Sequence, residues 1–398
     1  MSHSHPGLQP ASGPLSGLVV VDLTRVLAGP YCSMILLDMG ARVIKVERPG
    51  SGDDSRQIGP FIEDKSAYFM SLNRGKESIA LDLKAPADRA IFERLLDHAD
   101  VLLENFRAGT MEKLGYGFGA LHRRYPKLIY AATSGFGQTG PYKSRSAYDM
   151  VAQAMGGVMS LTGRPGEGPV RVGTSIGDLA AGLFTVIGVQ GALLHRNTTG
   201  EGQLVDVAML DCQVALLENA IARYFATGQV PGPLGTRHPT ITPFQAFKTA
   251  DDYIVIAAGN DSLFRKMVSC IGAAALADDP RFHTNMTRSR NVDMLEAELE
   301  AVLVSRSGSH WLGVLHEAGI PCGPINTVDK VLSDPQVLAR NMVVQAEDPT
   351  VGKLGMAGNP VKLSAFADPA TRAPAPDLDA DREAILASFG IPDPPDGR

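Results

Sequence analysis

The chain has 398 residues, a length that suits two or three domains and a large buried core. Its 44% hydrophobic and 20% charged content excludes a disordered or fibrous chain. A formal net charge of -6 at pH 7 excludes a general nucleic-acid binder, which needs a basic face, and leaves room for a local basic pocket that takes a phosphorylated small molecule. Cys32, Cys212, Cys270 and Cys322 stand far apart with no CxxC pair, so we expect reduced thiols in a cytoplasmic protein and no metal centre.

Residues 1–15 are rich in Ser, Pro, Gly and His and lack the apolar core of a signal peptide, so they read as a flexible tail in which His3 and His5 are incidental. The segment from Leu18, a valine-rich apolar run ending near Asp22, reads as a strand buried on both faces. Ala28-Gly29-Pro30 turns into a short helix, Tyr31 to Met39, and a second strand follows from Arg42 to Glu47. The alternation continues through Ser78 to Leu83, a helix from Pro86 to His98, a strand from Val101 to Asn105, a helix around Leu121 to Tyr125 and a strand from Leu128 to Ala132. Such repetition implies an α/β domain with an open, mostly parallel Rossmann-like sheet and helices on both faces. Ligands of such sheets bind beyond the carboxyl ends of the strands, which points to the loops 24–29, 47–56, 105–109 and 134–140.

Gly135 to Gly140 spells GxGxxG after a strand, yet no apolar helix follows to hold a pyrophosphate, so we do not read a dinucleotide site there. Gly173 to Gly182 is more informative: Asp178, flanked by glycine, precedes an uncharged apolar run from Leu179 to Leu194. Asp178 is expected to cap a buried helix, and a helix N-terminus favours an ionised, positioned carboxylate that can act as a nucleophile on an activated acyl group. A strand from Leu204 to Ala208 and a helix from Leu210 to Thr227 complete the large domain, residues 16–230. Pro231 to Gly235 opens a smaller α+β domain, 231–325, with a strand from Tyr253 and helices at 262–271, 291–305 and 309–318. Residues 326–398, irregular apart from a late helix at 381–389, are expected to return to the large domain. We expect no membrane span, because no apolar run of bilayer length is free of interruption.

In combination several motifs resemble the class III (CaiB/BaiF type) CoA-transferases. They are Leu-Thr-Arg-Val-Leu-Ala-Gly-Pro at 23–30, Gly-Ala-Arg-Val-Ile-Lys-Val-Glu-Arg-Pro-Gly at 40–50, Asn73 to Lys76, Glu104 to Phe106, Gly177-Asp178 and Pro321 to Asn326. The resemblance implies that Asp178 forms covalent acyl intermediates. It also implies that coenzyme A, a substrate and not a tightly bound cofactor, meets Leu27, Ala28, Arg48, Leu81, Lys84, Asn105, Phe106, Arg107, Lys113, Ala147 and Tyr148. Arg and Lys suit the phosphates of CoA. Relatives form interlocked homodimers, so a homodimer is implied. Racemases of the family carry a His where this chain has Tyr148, and an ordinary phenol is a poor base at neutral pH. A 2-methylacyl-CoA racemase is therefore the alternative reading, and a non-catalytic acyl-CoA binder a third.

Within the family, the words at 235–239, 243–248 and 348–353 resemble the succinyl-CoA-dependent dicarboxylate transferases, such as succinyl-CoA:glutarate CoA-transferase. The glycine run that formyl-CoA transferases carry near 238–244 is missing, which sets a formyl or oxalate substrate in doubt. A dicarboxylate needs a cation for its far end, and Arg25, Arg56 and His238 are the candidates.

Overall fold

The apolar runs become the strands of one parallel sheet in the computed structural model, which describes residues 12–393. His3 and His5 lie outside the described residues. Strands β1 (Val19–Asp22), β2 (Arg42–Glu47), β3 (Glu77–Ala80), β4 (Val101–Glu104), β5 (Ile129–Ser134) and β6 (Leu204–Ala208) pair in the order β3-β2-β1-β4-β5-β6, every pair parallel. The strand order reverses between β1 and β4, so the crevice for a ligand opens beyond their carboxyl ends. The helices that matter to it are α1 (Ala28–Asp38), α2 (Ala67–Asn73), α3 (Pro86–Leu96), α4 (Asp149–Met155) and α5 (Ile176–Thr199).

Successive side chains of a strand face opposite ways. Val21, Ile44, Ile79 and Leu102 therefore pack on one face with Phe92 and Leu95 of α3. Val20, Val43, Val101 and Ile129 pack on the other with Ile35 and Leu36 of α1 and Val186 and Val189 of α5. Strand β3 is an edge, and an uncovered edge invites pairing with another chain. Here the C-terminal stretch covers it: the Ala80 and Ser78 amides donate to Asp379 and Asp381, each at 2.8 Å. The helix Arg382–Ser388 then seats Ile385 and Leu386 in the core.

The first compact unit takes the chain up to Met159, then Arg171–Gln229 and the chain from Pro335; the second takes Ser160–Val170 and Val230–Asp334. The second unit holds a three-stranded antiparallel sheet, with Tyr253–Ala257 between Cys322–Pro324 and Phe244–Lys248. Phe247, Ile256, Phe264, Phe282 and Trp311 form its core. Arg288 is buried there without cost to hydrogen bonding, since it donates to the carbonyls of Thr242, Phe282 and Gly259 and to Asp261.

Three sequence expectations are corrected. The helix expected over 210–227 is two helices, Met209–Leu216 and Asn219–Thr227, broken where Glu218 takes φ +49°. The stretch after Pro324 is not irregular: Val343–Asp348 and Gly352–Ala357 form a hairpin whose turn is fixed by Asp348 accepting the Thr350 and Val351 amides. Finally, α5, at 24 residues, is long and apolar enough by length and composition to cross a bilayer. In this fold it is a core helix, with Ala180, Ala181, Val186, Val189 and Ala192 buried.

Helix α5 meets α1 closely because Gly182 has no side chain: a Cβ there would lie 2.8 Å from the Ala28 carbonyl and 3.0 Å from the Tyr31 ring. A larger residue must push the two helices apart. Gly182→Val is expected to cost about 1–3 kcal/mol through overpacking, and urea unfolding of the two proteins measures it.

Candidate active site

The site is built from the two loops that leave the sheet at its switch point. Asn105, just past β4, accepts from the Arg25 amide at 3.0 Å and donates to the Arg25 carbonyl at 2.8 Å. One side chain thus ties the loop after β4 to the loop after β1, and α1 starts three residues beyond that tie. Its first turn has no side-chain cap and carries Pro30, so the Ala28 and Gly29 amides find no acceptor among the described residues.

Asp178 stands opposite this turn, on the first turn of α5, and is not the cap expected from the sequence. Ser175 holds the cap position without a side-chain hydrogen bond. The capping acceptor comes instead from Asp149, at the start of α4, whose Oδ1 takes the Gly177 amide at 2.8 Å. Gln153 holds Asp149 in place by donating to its Oδ2 at 2.8 Å, and accepts the Val172 amide at 2.9 Å. Asp178 is left with no hydrogen-bond donor among the described residues. Burial, and then the negative charge of Asp149, push its carboxyl up to about 7. The helix dipole alone would favour the ionised form, so the expectation of a carboxylate held ionised by the helix is corrected: desolvation and a like charge win.

Two cavities adjoin here, sharing Arg25 and Phe106. The one of about 240 Å³ contains Asp178 and is lined by Leu27, Ala28, Asn105, Arg107, Ala147 and Tyr148. The other, of about 480 Å³, is lined by Arg48, Leu81, Lys84 and the apolar Leu23, Val46 and Leu83. Twelve expected residues, Asp178 included, are thus brought together: Arg25 and Phe106 on both cavities, seven more on the first and three on the second. Lys113 is exposed and lines neither cavity. Arg56 is not brought to the site: it is committed to both Glu47 oxygens at 2.7 Å and lies over the Phe69 ring. His238 belongs to the second unit, where its Nδ1 accepts the Thr240 and Ile241 amides.

Sequence reasoning missed several members. Asp54 bridges Arg25, at 2.8 Å, and Arg48. Lys143 and Arg145 line the Asp178 cavity; Arg145 lies over the Tyr142 ring, whereas Lys143 has no ion-pair partner among the described residues. Tyr68 of α2 lies within the field of Asp178, and its phenol is pushed up to about 12 by burial and then by that carboxylate. Only Asp54 lies on a loop already singled out, which names no particular residue; Lys143 and Arg145 follow the loop at 134–140, Tyr68 is on a helix, and none of the three carried a signal. The expected decoy at 135–140 is no dinucleotide cradle: the Gln138 amide is taken by Asp206, and Gly135 is packed where a Cβ would meet Ala147 at 2.4 Å.

An acid free of donors thus stands at the switch point of a doubly wound sheet, beside a second cavity of nucleotide size whose wall carries Arg48 and Lys84 as well as Glu47, Asp53 and Asp82, an arrangement that suits an enzyme acting on an acyl group. The comparisons agree. The model of "CoA-transferase family III" matches residues 15–382, so the chain belongs to that family. It is 47% identical over 382 residues to the acetyl-CoA:oxalate CoA-transferase of Acetobacter aceti, covering 96% of this chain and 97% of the relative. It is 42% identical to the succinate–glutarate CoA-transferase of Agrobacterium fabrum, covering 85% and 87%. Among solved structures it is similar to a CAIB/BAIF family protein from Brucella suis, with a TM-score of 0.84, 40% identity and coverage of 95% and 100%.

With Asp178 as a nucleophile that reacts in its ionised form, kcat/KM for an acyl-CoA is expected to fall on the acid side of about pH 7. Asp149→Asn removes the like charge that raises this group and should move the acid limb to lower pH. A pH–rate profile of both proteins decides it; an unmoved limb would mean that Asp149 does not set the titration.

Proposed function

We propose that the protein moves CoA from an acyl-CoA donor to a dicarboxylate through covalent intermediates on Asp178. The observation that carries this reading is the Asp178 carboxyl itself: desolvated, free of donors and poised near neutrality. Such a carboxylate is a better nucleophile than an ordinary one, and it still reaches the ionised state at working pH. Its oxygen attacks the donor thioester carbonyl, and the C–S bond breaks to give a mixed anhydride and CoA thiolate. The thiolate attacks the Asp178 carbonyl, expelling the donor acid as its carboxylate and leaving an aspartyl-CoA thioester. The acceptor carboxylate then runs the same steps in reverse. Each addition places negative charge on a carbonyl oxygen, and the free amide of Ala28, which lines the cavity, is the candidate donor to it.

The larger cavity, with Arg48 and Lys84 around an apolar wall, suits the adenosine phosphate end of CoA, and the smaller one the thioester. Two relatives are named for oxalate and for glutarate, two diacids of different length. Oxalate, set in doubt by the missing glycine run, therefore returns to the acceptors considered. The far carboxylate needs a cation in the Asp178 cavity. Arg25 is engaged by Asp54, so Lys143 is the better anchor. We offer acetyl-CoA and succinyl-CoA as donors on the same support.

The test is a panel of mono- and dicarboxylic acids with either donor, read by mass for new thioesters. Wild type should transfer to a diacid, and hydroxylamine should trap position 178 when donor alone is present. Asp178→Asn should lower turnover by about a thousandfold or more and yield no adduct; full turnover in that variant would sink the reading. Lys143→Ala should lose diacids selectively, and an unchanged preference would place the anchor elsewhere.

We also propose a homodimer. Leu183, Ile187 and Leu194 share one face of α5 and are 46%, 61% and 71% exposed, an apolar stripe of the kind that marks a protein interface. Light scattering should give about twice the 42.2 kDa chain mass, and Ile187→Glu should shift it toward a single chain. A monomeric wild type would refute this.

A further inference from the structure

Val26 lies between the Asn105 tie and the start of α1, and its φ is +68°. A β-branched residue in this left-handed region is a real outlier, costing about 1–3 kcal/mol unless its surroundings over-determine it. The surroundings here are a set of buried charges. Asp53 Oδ1 accepts the Val26 amide at 3.0 Å, and also the Ser55 amide and hydroxyl, each at 2.8 Å. Its Oδ2 pairs with Lys45 Nζ at 2.8 Å, with both side chains at most 1% exposed. Lys45 in turn donates to the Thr24 carbonyl at 2.7 Å. Asp22 takes the Thr24 amide at 2.8 Å and, on its other oxygen, the hydroxyl of Ser33 in α1 at 2.6 Å.

We propose that Asp53, backed by Lys45, is a positioning residue for the acyl cavity: it holds Val26 in its strained conformation and thereby sets the first turn of α1 against Asp178. The inference rests on the CoA-transfer reading above. A buried ion pair is in general a poor source of net stability, since apolar residues of like volume serve as well. This pair is bonded on both sides to the backbone of the segment that carries the strain. Burial alone would raise the Asp53 carboxyl, yet Lys45 and the Ser55 and Val26 amides hold it down at about 2, so the clamp stays charged throughout the working pH range.

The plainer role for Asp53 is to cap the short turn Asp54–Gln57, which it does through the Ser55 amide. A double-mutant cycle separates the two, because only the clamp depends on the residue at 26. Glycine adopts a positive φ without strain. With wild type transferring CoA in the panel, Asp53→Asn should lower kcat at least about tenfold, and in the Val26→Gly background the same change should cost less than about threefold, a difference of several-fold that a cycle resolves. Equal losses in both backgrounds, or no loss from D53N alone, overturn the proposal. Where D53N alone does not fold, judged by its circular dichroism and melting, the doubly substituted protein decides: folded and active supports the clamp, unfolded or inactive overturns it. A wild type that transfers CoA to no acid overturns the functional reading and this inference with it, whereas an active wild type with equal losses overturns this inference alone.

Discussion

The close contact of α1 with α5 at Gly182 is the constraint on which the site depends. Both helices pack on the same face of the sheet, through Ile35 and Leu36 on one and Val186 and Val189 on the other. Their N-terminal turns therefore face each other across a gap set by backbone contact and not by long side chains. Two helix ends each carry a partial positive charge from unpaired amides, and bringing two together is unfavourable unless something negative lies between them. The fold supplies Asp149, which takes the Gly177 amide of α5, and leaves the Ala28 and Gly29 amides of α1 without an acceptor. The cavity is thus bordered by both the free Ala28 amide and the Asp178 carboxyl, the pair that the proposed attack on a carbonyl needs.

This arrangement runs against stability. Asp178 has no donor and sits beside another buried acid, so its raised titration marks an ionised state that the folded protein disfavours relative to the unfolded chain. The sign follows directly: with the folded value above the unfolded one, the penalty is absent well below the ordinary carboxylate range and grows as pH rises through it toward about 7. The same molecule treats other buried acids differently. Asp22, Glu47 and Asp53 are each held low despite burial, because each has a cation and hydroxyl or amide donors within reach. Glu104 is also raised, pushed up to about 8 by burial, but it lines neither cavity, whereas Asp178 opens onto the smaller one, so a raised acid and an accessible one coincide at Asp178.

How much of this was legible in the sequence varies with the kind of signal. Strands β1, β4 and β5 announce themselves as largely apolar runs because a parallel sheet covered on both faces needs no alternation, whereas β2 and β6 carry charges among their valines. The switch point, and with it the loops of the site, follows from their βα rhythm. Asp178 is conspicuous because an acid stands alone before an uncharged helix. Its state is not legible: that depends on Asp149, 29 positions away in the chain and brought near only by the packing of α4 on α5. The break at Glu218 carries no Gly or Pro to mark it. The hairpin at 343–357 hides because half of each strand faces out and its ends are charged, although Asp348 and Pro349 do spell a turn. Arg56 misled for a related reason. A cation on the correct loop is indistinguishable, in one dimension, from a cation already spent on Glu47 and Phe69.

The same reasoning bears on how a family of this kind changes acceptors while keeping its chemistry. In the reading proposed above, the parts that hold charge at the reacting carbon are Asp178, Asp149 and the first turns of α1 and α5, and the close approach of these two helices tolerates little change in volume. The segment 142–148, in contrast, is largely exposed, belongs to a loop without regular structure, and supplies Lys143, Arg145 and Tyr148 to the cavity wall. Replacing a side chain there alters what the cavity attracts without moving the nucleophile. Diacids of different length differ in where their second carboxylate falls, and a flexible lysine on an exposed loop can follow that difference where an arginine locked to Asp54 cannot.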